Sequence, residues 1–205
     1  LVYRWTPDIS REPFVEAVEI ANVDASAGHI ANLDLWLDAK GAAHLLYQSQ
    51  NIQSVVMRDR FFPGTALVRK LEYAVVDKGR IVGRSTLAES LEGKDKAGSC
   101  WGRFHATQDG RLFVVASFVP VGSNCWTPGE GAIANRLIEI RDGAAGDVVP
   151  VPLRDPLIQF FTATERGGSA PSNTLDLFGV GRESTVLRYA RVEIGVEGAS
   201  LADAR

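Results

Sequence analysis

The sequence predicts an all-β fold, and three observations carry that prediction. The apolar runs are short, rich in Val, Ile, Leu, Phe and Tyr, and bounded by Gly, Pro, Asn and Asp, which is the pattern of strands separated by turns. Long apolar spacing at helical period is absent. A hairpin signature also occurs three times at intervals of roughly 70 residues, and recurrence at a fixed period marks a repeat architecture. The three copies run from Asn32 through Asp38 and Gly41 to Tyr47, from Phe104 through Asp109 and Gly110 to Val115, and from Asn173 through Gly181 to Tyr189.

In chain order, strands are predicted near 2–5, 15–21, 31–37, 43–49, 54–58, 69–76, 80–84, 103–107, 111–119, 135–141, 149–153, 158–163, 173–179 and 185–194. Three tight turns punctuate them, at Asp77-Lys-Gly79, Asp109-Gly110 and Asp142-Gly143, because Gly accepts the positive φ that such turns require. One short helix is expected at Leu87–Leu91. The segments 93–101, 120–133 and 164–172 read as irregular loops, and the last two, rich in Gly, Ser and Pro, are long enough to be functional.

Many short strands without helical spacers suit a sandwich, a barrel or a propeller. The repeat selects the propeller, built of four-stranded antiparallel blades. A blade commonly takes about 40–50 residues, so the wider spacing here implies blades with insertions. A closed ring takes at least about four blades. Residues 1–205 therefore read as a single propeller segment, an incomplete ring of about three to four blades. Leu1-Val-Tyr-Arg4 resembles the second strands Leu45-Leu-Tyr-Gln48 and Leu187-Arg-Tyr-Ala190. It reads as the middle of a strand, with chain expected before Leu1.

Composition narrows the partners. A net charge of −3 offers no general attraction to phosphate backbones, so nucleic acid is not expected. No apolar run approaches the roughly 20 residues of a membrane helix. No Cys-x-x-Cys or His-x-x-x-His spacing occurs, so neither a metal nor any other cofactor is expected. The basic residues are 17 Arg against 5 Lys, and Arg is the better partner for a carboxylate.

Three stretches carry a family resemblance: Asp38-x-x-Gly41-x-x-His44-Leu-Leu-Tyr47, His105-Ala-Thr107-Gln-Asp109-Gly110-Arg-Leu-Phe-Val114, and Ser172-Asn-Thr-Leu-Asp176-Leu177 with Leu187-Arg-Tyr-Ala-Arg-Val192. They resemble the sialidase-like, BNR-repeat β-propeller superfamily. The full Asp-box, Ser-x-Asp-x-Gly-x-x-Trp, is absent. Its nearest counterpart is Thr107-Gln-Asp-Gly110, followed by Phe113 instead of Trp. The resemblance implies a carbohydrate-active propeller, a glycoside hydrolase or polysaccharide lyase acting on an acidic oligo- or polysaccharide that carries uronate or sialate. The superfamily also contains non-catalytic propellers, so binding of a glycan or protein is the alternative.

With the repeated hairpins as the inner strands of each blade, their turns lie on one face. The opposite face then gathers His29–Asn32, Trp101–His105, Ser169–Asn173, Gln48–Asn51 and Val121–Trp126. On that basis His105 and His29 are the candidate acid–base groups near neutral pH, and His44, just past a turn, is structural. Glu165 is a candidate acid if partly buried. Arg103 and Arg166 suit a substrate carboxylate through paired charge-assisted hydrogen bonds, with Asn173 beside them. Trp101 and Trp126 offer flat faces for sugar rings. Each also has a structural reading: an ion pair for the arginines, a cover over the core for the indoles. A lyase would use His105 with Arg103 and Arg166. A hydrolase would use Glu165 and a second carboxylate that the sequence does not single out.

Cys100 and Cys125 flank the hairpin that turns at Asp109-Gly110. Antiparallel pairing sets residue 100 opposite roughly residue 119, so both cysteines emerge at one end and a disulfide between them is expected. That bond would place the protein outside the cytoplasm, secreted or periplasmic.

Overall fold

A computed structural model describes residues 1–123, 125, 128–162, 170–183 and 185–195. These form thirteen strands and one helix. Strands β1 (Val2–Tyr3) and β2 (Val18–Glu19) make a small sheet; β3 (His29–Leu37), β4 (Ala43–Gln50), β5 (Val68–Asp77) and β6 (Arg80–Leu91) make a second. Strands β7 (Ala97–Ala106), β8 (Leu112–Pro120), β9 (Ala134–Arg141) and β10 (Ala144–Val151) make a third; β11 (Gln159–Thr162), β12 (Thr174–Val180) and β13 (Leu187–Glu193) make the last. Every pairing is antiparallel and joins strands adjacent in sequence. The protein is all-β, with four open antiparallel sheets and helix α1 (Val55–Phe61) between β4 and β5.

The sheets stack in chain order around three apolar layers. Ile20, Leu1 and Tyr3 meet the face of the second sheet that carries Ala43, Leu45 and Tyr47. Its opposite face, with Leu46, Leu71 and Tyr73, packs on Phe104, Val114 and Phe118 of the third sheet. The far side of the third sheet, with Phe113, Val115 and Leu137, packs on Phe160, Leu175 and Val192 of the last. The alternation of odd and even residues along β4 and β8 divides neighbouring layers. Two-residue turns close β5–β6 and β9–β10, with Lys78 at φ 47° and Gly79 at φ 76°, and Asp142 at φ 50° and Gly143 at φ 77°. Two consecutive positive φ values give the twist that suits a tight hairpin.

Several elements differ from expectation. Residues 54–58 are not a strand: Ser54 caps α1, its hydroxyl accepting from Met57 N at 3.2 Å. A satisfied cap and basic Arg58 and Arg60 in the last turn outweigh the β-branched pair Val55-Val56. Leu87–Leu91 is not a helix, because β6 continues through it, paired with β5 on either side of a register shift at Leu87, and buries Leu87 in the second layer. Tertiary burial overrides local helix propensity there. Strand β7 starts at Ala97 and not at 103, so the end of the expected loop 93–101 is already in the sheet. The third copy of the repeat also sits differently. Its strands β12 and β13 follow β11 as second and third members of their sheet, whereas β3–β4 and β7–β8 are first and second.

Candidate functional site

The early start of β7 redistributes the sequence-selected residues. His105 lies at the end of β7, paired with Phe113 of β8 and four residues before Asp109. It is 1% exposed, and its Nε2 lies 2.7 Å from the Ser172 carbonyl. A carbonyl only accepts, so Nε2 carries the proton. Nδ1 is buried without a partner among the described residues, and burial pushes the imidazole pKa down. Asn173 Oδ1 accepts from Gln108 N at 3.1 Å, inside that same turn. Thus His105 and Asn173 stand at the Asp109-Gly110 end of the third sheet, not at the opposite end where they were expected.

Arg103 lies between the two ends. It is 7% exposed, with its guanidinium 4.9 Å from the Trp101 ring centroid and 5.2 Å from that of Phe161. Contact with aromatic faces compensates part of the desolvation of this cation, and burial lowers its pKa. Glu165, Arg166 and Trp126 lie outside the described residues. His44 is structural in its contacts: Nδ1 is 2.6 Å from the Tyr73 hydroxyl, and the ring meets Trp36 edge-on.

His29 and Trp101 are brought together at the other end, on the wall of a cleft of about 550 Å³. The cleft opens where the apolar layer between the second and third sheets gives way to polar side chains. β3 contributes His29, β4 contributes Gln48 and Gln50, β5 contributes Arg69, and β7 contributes Cys100 and Trp101. The disulfide Cys100–Cys125, with Cα atoms 5.5 Å apart, ties the edge of the cleft at Cys125 to β7. Trp101 donates its indole N–H to Phe160 O at 2.8 Å, which fixes the ring between β7 and β11.

His29, Gln50, Arg69 and Ser90 are partners in a single cross-strand row. Gln50 Oε1 accepts from Arg69 Nε at 3.2 Å, while Gln50 Nε2 donates to Ile52 O at 2.7 Å. Gln48 Nε2 donates to Ser99 O at 2.7 Å, joining the two walls. Arg69 Nη2 donates to Ser123 O at 2.8 Å, and its Nη1 is buried without an acceptor among the described residues. Burial lowers the pKa of this guanidinium.

No Asp or Glu lines the cleft among the described residues. Among the same residues no group of three or more His, Cys, Asp or Glu side chains is placed to hold a metal. No described helix is long and apolar enough to cross a membrane.

Sequence reasoning did not single out Arg69, Gln48 and Gln50 as binding groups. Their signal is polarity at positions whose strand neighbours are core. Gln48 and Gln50 continue the face of Leu46, and Arg69 continues the face of Leu71 and Tyr73. A buried polar group at an apolar position is more informative than an exposed one. No protein-family model, curated protein or solved structure matches the chain.

Proposed function

We propose that this chain is a segment of a sialidase-like β-propeller that handles an acidic saccharide in the cleft between its second and third sheets. Support for the propeller comes from the meander order of each sheet and from the way first strands adjoin. Asp34 of β3 accepts from Phe104 N of β7 at 2.9 Å, and Gln48, opposite Ala31, reaches Ser99. Later residues of β3 thus meet later residues of β7, so the two run in the same direction, as inner strands do around a propeller axis.

The observation that carries the saccharide reading is the lining itself. An indole held by its own N–H, four glutamines, two serines, a histidine and Arg69 line the space together with aliphatic side chains such as Leu33, Val55 and Leu67, with no carboxylate among the described residues. Flat aromatic faces and neutral hydrogen-bonding groups suit a sugar. Hydrolysis would use Glu165, which lies outside the described residues, with a second carboxylate. Elimination beside a uronate would use His29 as the base, and binding without turnover would use the same walls. The Cys100–Cys125 disulfide favours an oxidising compartment, hence a secreted or periplasmic protein.

The test is titration of the protein with uronate-containing polysaccharides, following heat, new double bonds and reducing ends. Heat together with both products means a lyase, and reducing ends alone mean a hydrolase. Heat alone means a binding module. In the lyase case His29→Ala would abolish double-bond formation. Absence of all three signals with a panel of uronates and sialosides rejects the saccharide reading.

A further inference from the structure

We infer that Arg69 is the receptor for an oxyanion, the carboxylate or sulfate group of the molecule that enters the cleft. The inference rests on the cleft being the binding site and adds which part of the ligand goes where.

Arg69 is 8% exposed and projects from β5 into the cleft wall. A guanidinium stays protonated at any physiological pH, so a full positive charge is held out of water here. Buried charges are ordinarily paired, because an isolated one is costly. Arg69 has no carboxylate within ion-pair distance among the described residues. Its contacts are two neutral acceptors, Gln50 Oε1 and Ser123 O, and Nη1 has none.

The other partly buried arginines contrast with it. Arg111 has Asp109, Arg58 has Glu92, and Arg188 has Glu183. Arg103 also has no carboxylate partner among the described residues, but its guanidinium stacks on two rings and it does not line the cleft.

The neutral contacts of Arg69 do not cancel its charge; they aim it. Gln50 is itself fixed by Ile52 O, and Ser123 belongs to the edge tied down by Cys125. The fork is thus held from two sides in a preorganised position, which lowers the entropy lost on binding. An anion arriving there meets an unneutralised charge in a low-dielectric wall, where attraction is much stronger than in water. No acidic lining residue among those described would repel it. His29 stands two strands away in the same row, about 10 Å at ordinary strand spacing. Gln50 stands between them in that row and holds the guanidinium.

Calorimetry with three probes tests the inference: an oligogalacturonate trimer, the same trimer with its carboxyl groups reduced, and sodium sulfate. The acidic trimer is expected to bind about tenfold or more tightly than the reduced one, the scale of one charge-assisted hydrogen bond. Arg69→Gln is expected to erase that difference. Equal affinity of the two trimers overturns the role of Arg69 and leaves the saccharide cleft standing. Sulfate binding that Arg69→Gln removes, with neither trimer bound, upholds the oxyanion receptor and rejects the saccharide reading. No binding by any probe, or anion binding indifferent to Arg69→Gln, overturns the inference. Should Arg69→Gln fail to fold, the ratio between the two trimers on the unaltered protein decides, with Arg69→Lys expected to retain only part of it.

Discussion

The two ends of β7 use their polar groups in opposite ways. At the turn end, side chains are spent on holding the chain together. His105 bonds Ser172 O, Asn173 bonds Gln108 N, and Asp109 engages both Thr107 and Arg111, whose guanidinium also reaches Gly195 O. The Arg111 contact and the Thr107 hydroxyl hold the Asp109 carboxyl down at about 2. At the cleft end the amides are also bonded to backbone, yet a cation has no counter-charge among the described residues. One end is a clasp with its charges matched, and the other is a socket with a charge in reserve. A histidine is therefore not a functional residue by virtue of its type, and the same strand carries a structural one and borders a cleft with an exposed one.

Breaking the disulfide sharpens the contrast most. Cys100→Ser with Cys125→Ser opens a loop whose ends are 25 residues apart, worth about 3 kcal/mol in the chain-entropy model. For a chain of this size that lowers the melting temperature by roughly 6–12 °C. The cleft should lose anion affinity as well, because the edge carrying Ser123 is released. Melting curves and calorimetry on the same sample check both. An unchanged melting temperature would mean that the bridge does not hold this edge.

His105→Ala comes next, at about 2 kcal/mol, from a lost buried hydrogen bond and the space left behind. Its expected signature is loss of stability in denaturant with ligand affinity intact. If ligand handling collapsed while stability held, the two ends would have to exchange roles.

The smallest effect is on pH dependence. The folded-state pKa of His105 lies below its ordinary value of 6.5. The unfolded chain therefore takes up its proton first as pH falls, and stability declines below about 6.5 until the folded imidazole also titrates. His44 is depressed in the same direction by burial. His105→Gln should make this decline shallower without removing it. An identical slope in the variant would assign the effect to His44 or to the carboxylates.

Much of this molecule was legible in its residues, and the failures share a cause. The strands expected near 43–49 and 111–119 and the Gly turns at 79 and 143 are local, and they stand as read. Of the stretches expected to converge, the cleft draws on His29, Gln48, Gln50, Trp101, Gly122, Ser123 and Cys125, while His105 and Asn173 lie at the other end. The start of β7 did not follow, because Gly98-Ser-Cys100 looks like a loop until the pairing with β8 is known. That slip of six residues moved His105 from the beginning of its strand to the end. Arg69 was one arginine among 17. Its lack of a counter-charge among the described residues depends on what every neighbouring strand brings, which no local pattern records.

Strand β8 carries one more consequence. Leu112–Val119 is buried on both faces, even positions in one layer and odd positions in the next. In a half-exposed strand, a slip by one residue throws apolar side chains into water and is rejected. Here both faces are apolar, so the oil-and-water code is silent about alignment. Ser117 is the only polar residue in the run, and its hydroxyl donates to Ile158 O at 2.7 Å across the layer. A one-step slip would swing that hydroxyl to the other face, among Phe104 and Leu46 and away from Ile158. A single hydroxyl thus serves as the alignment mark for the strand that both large cores share.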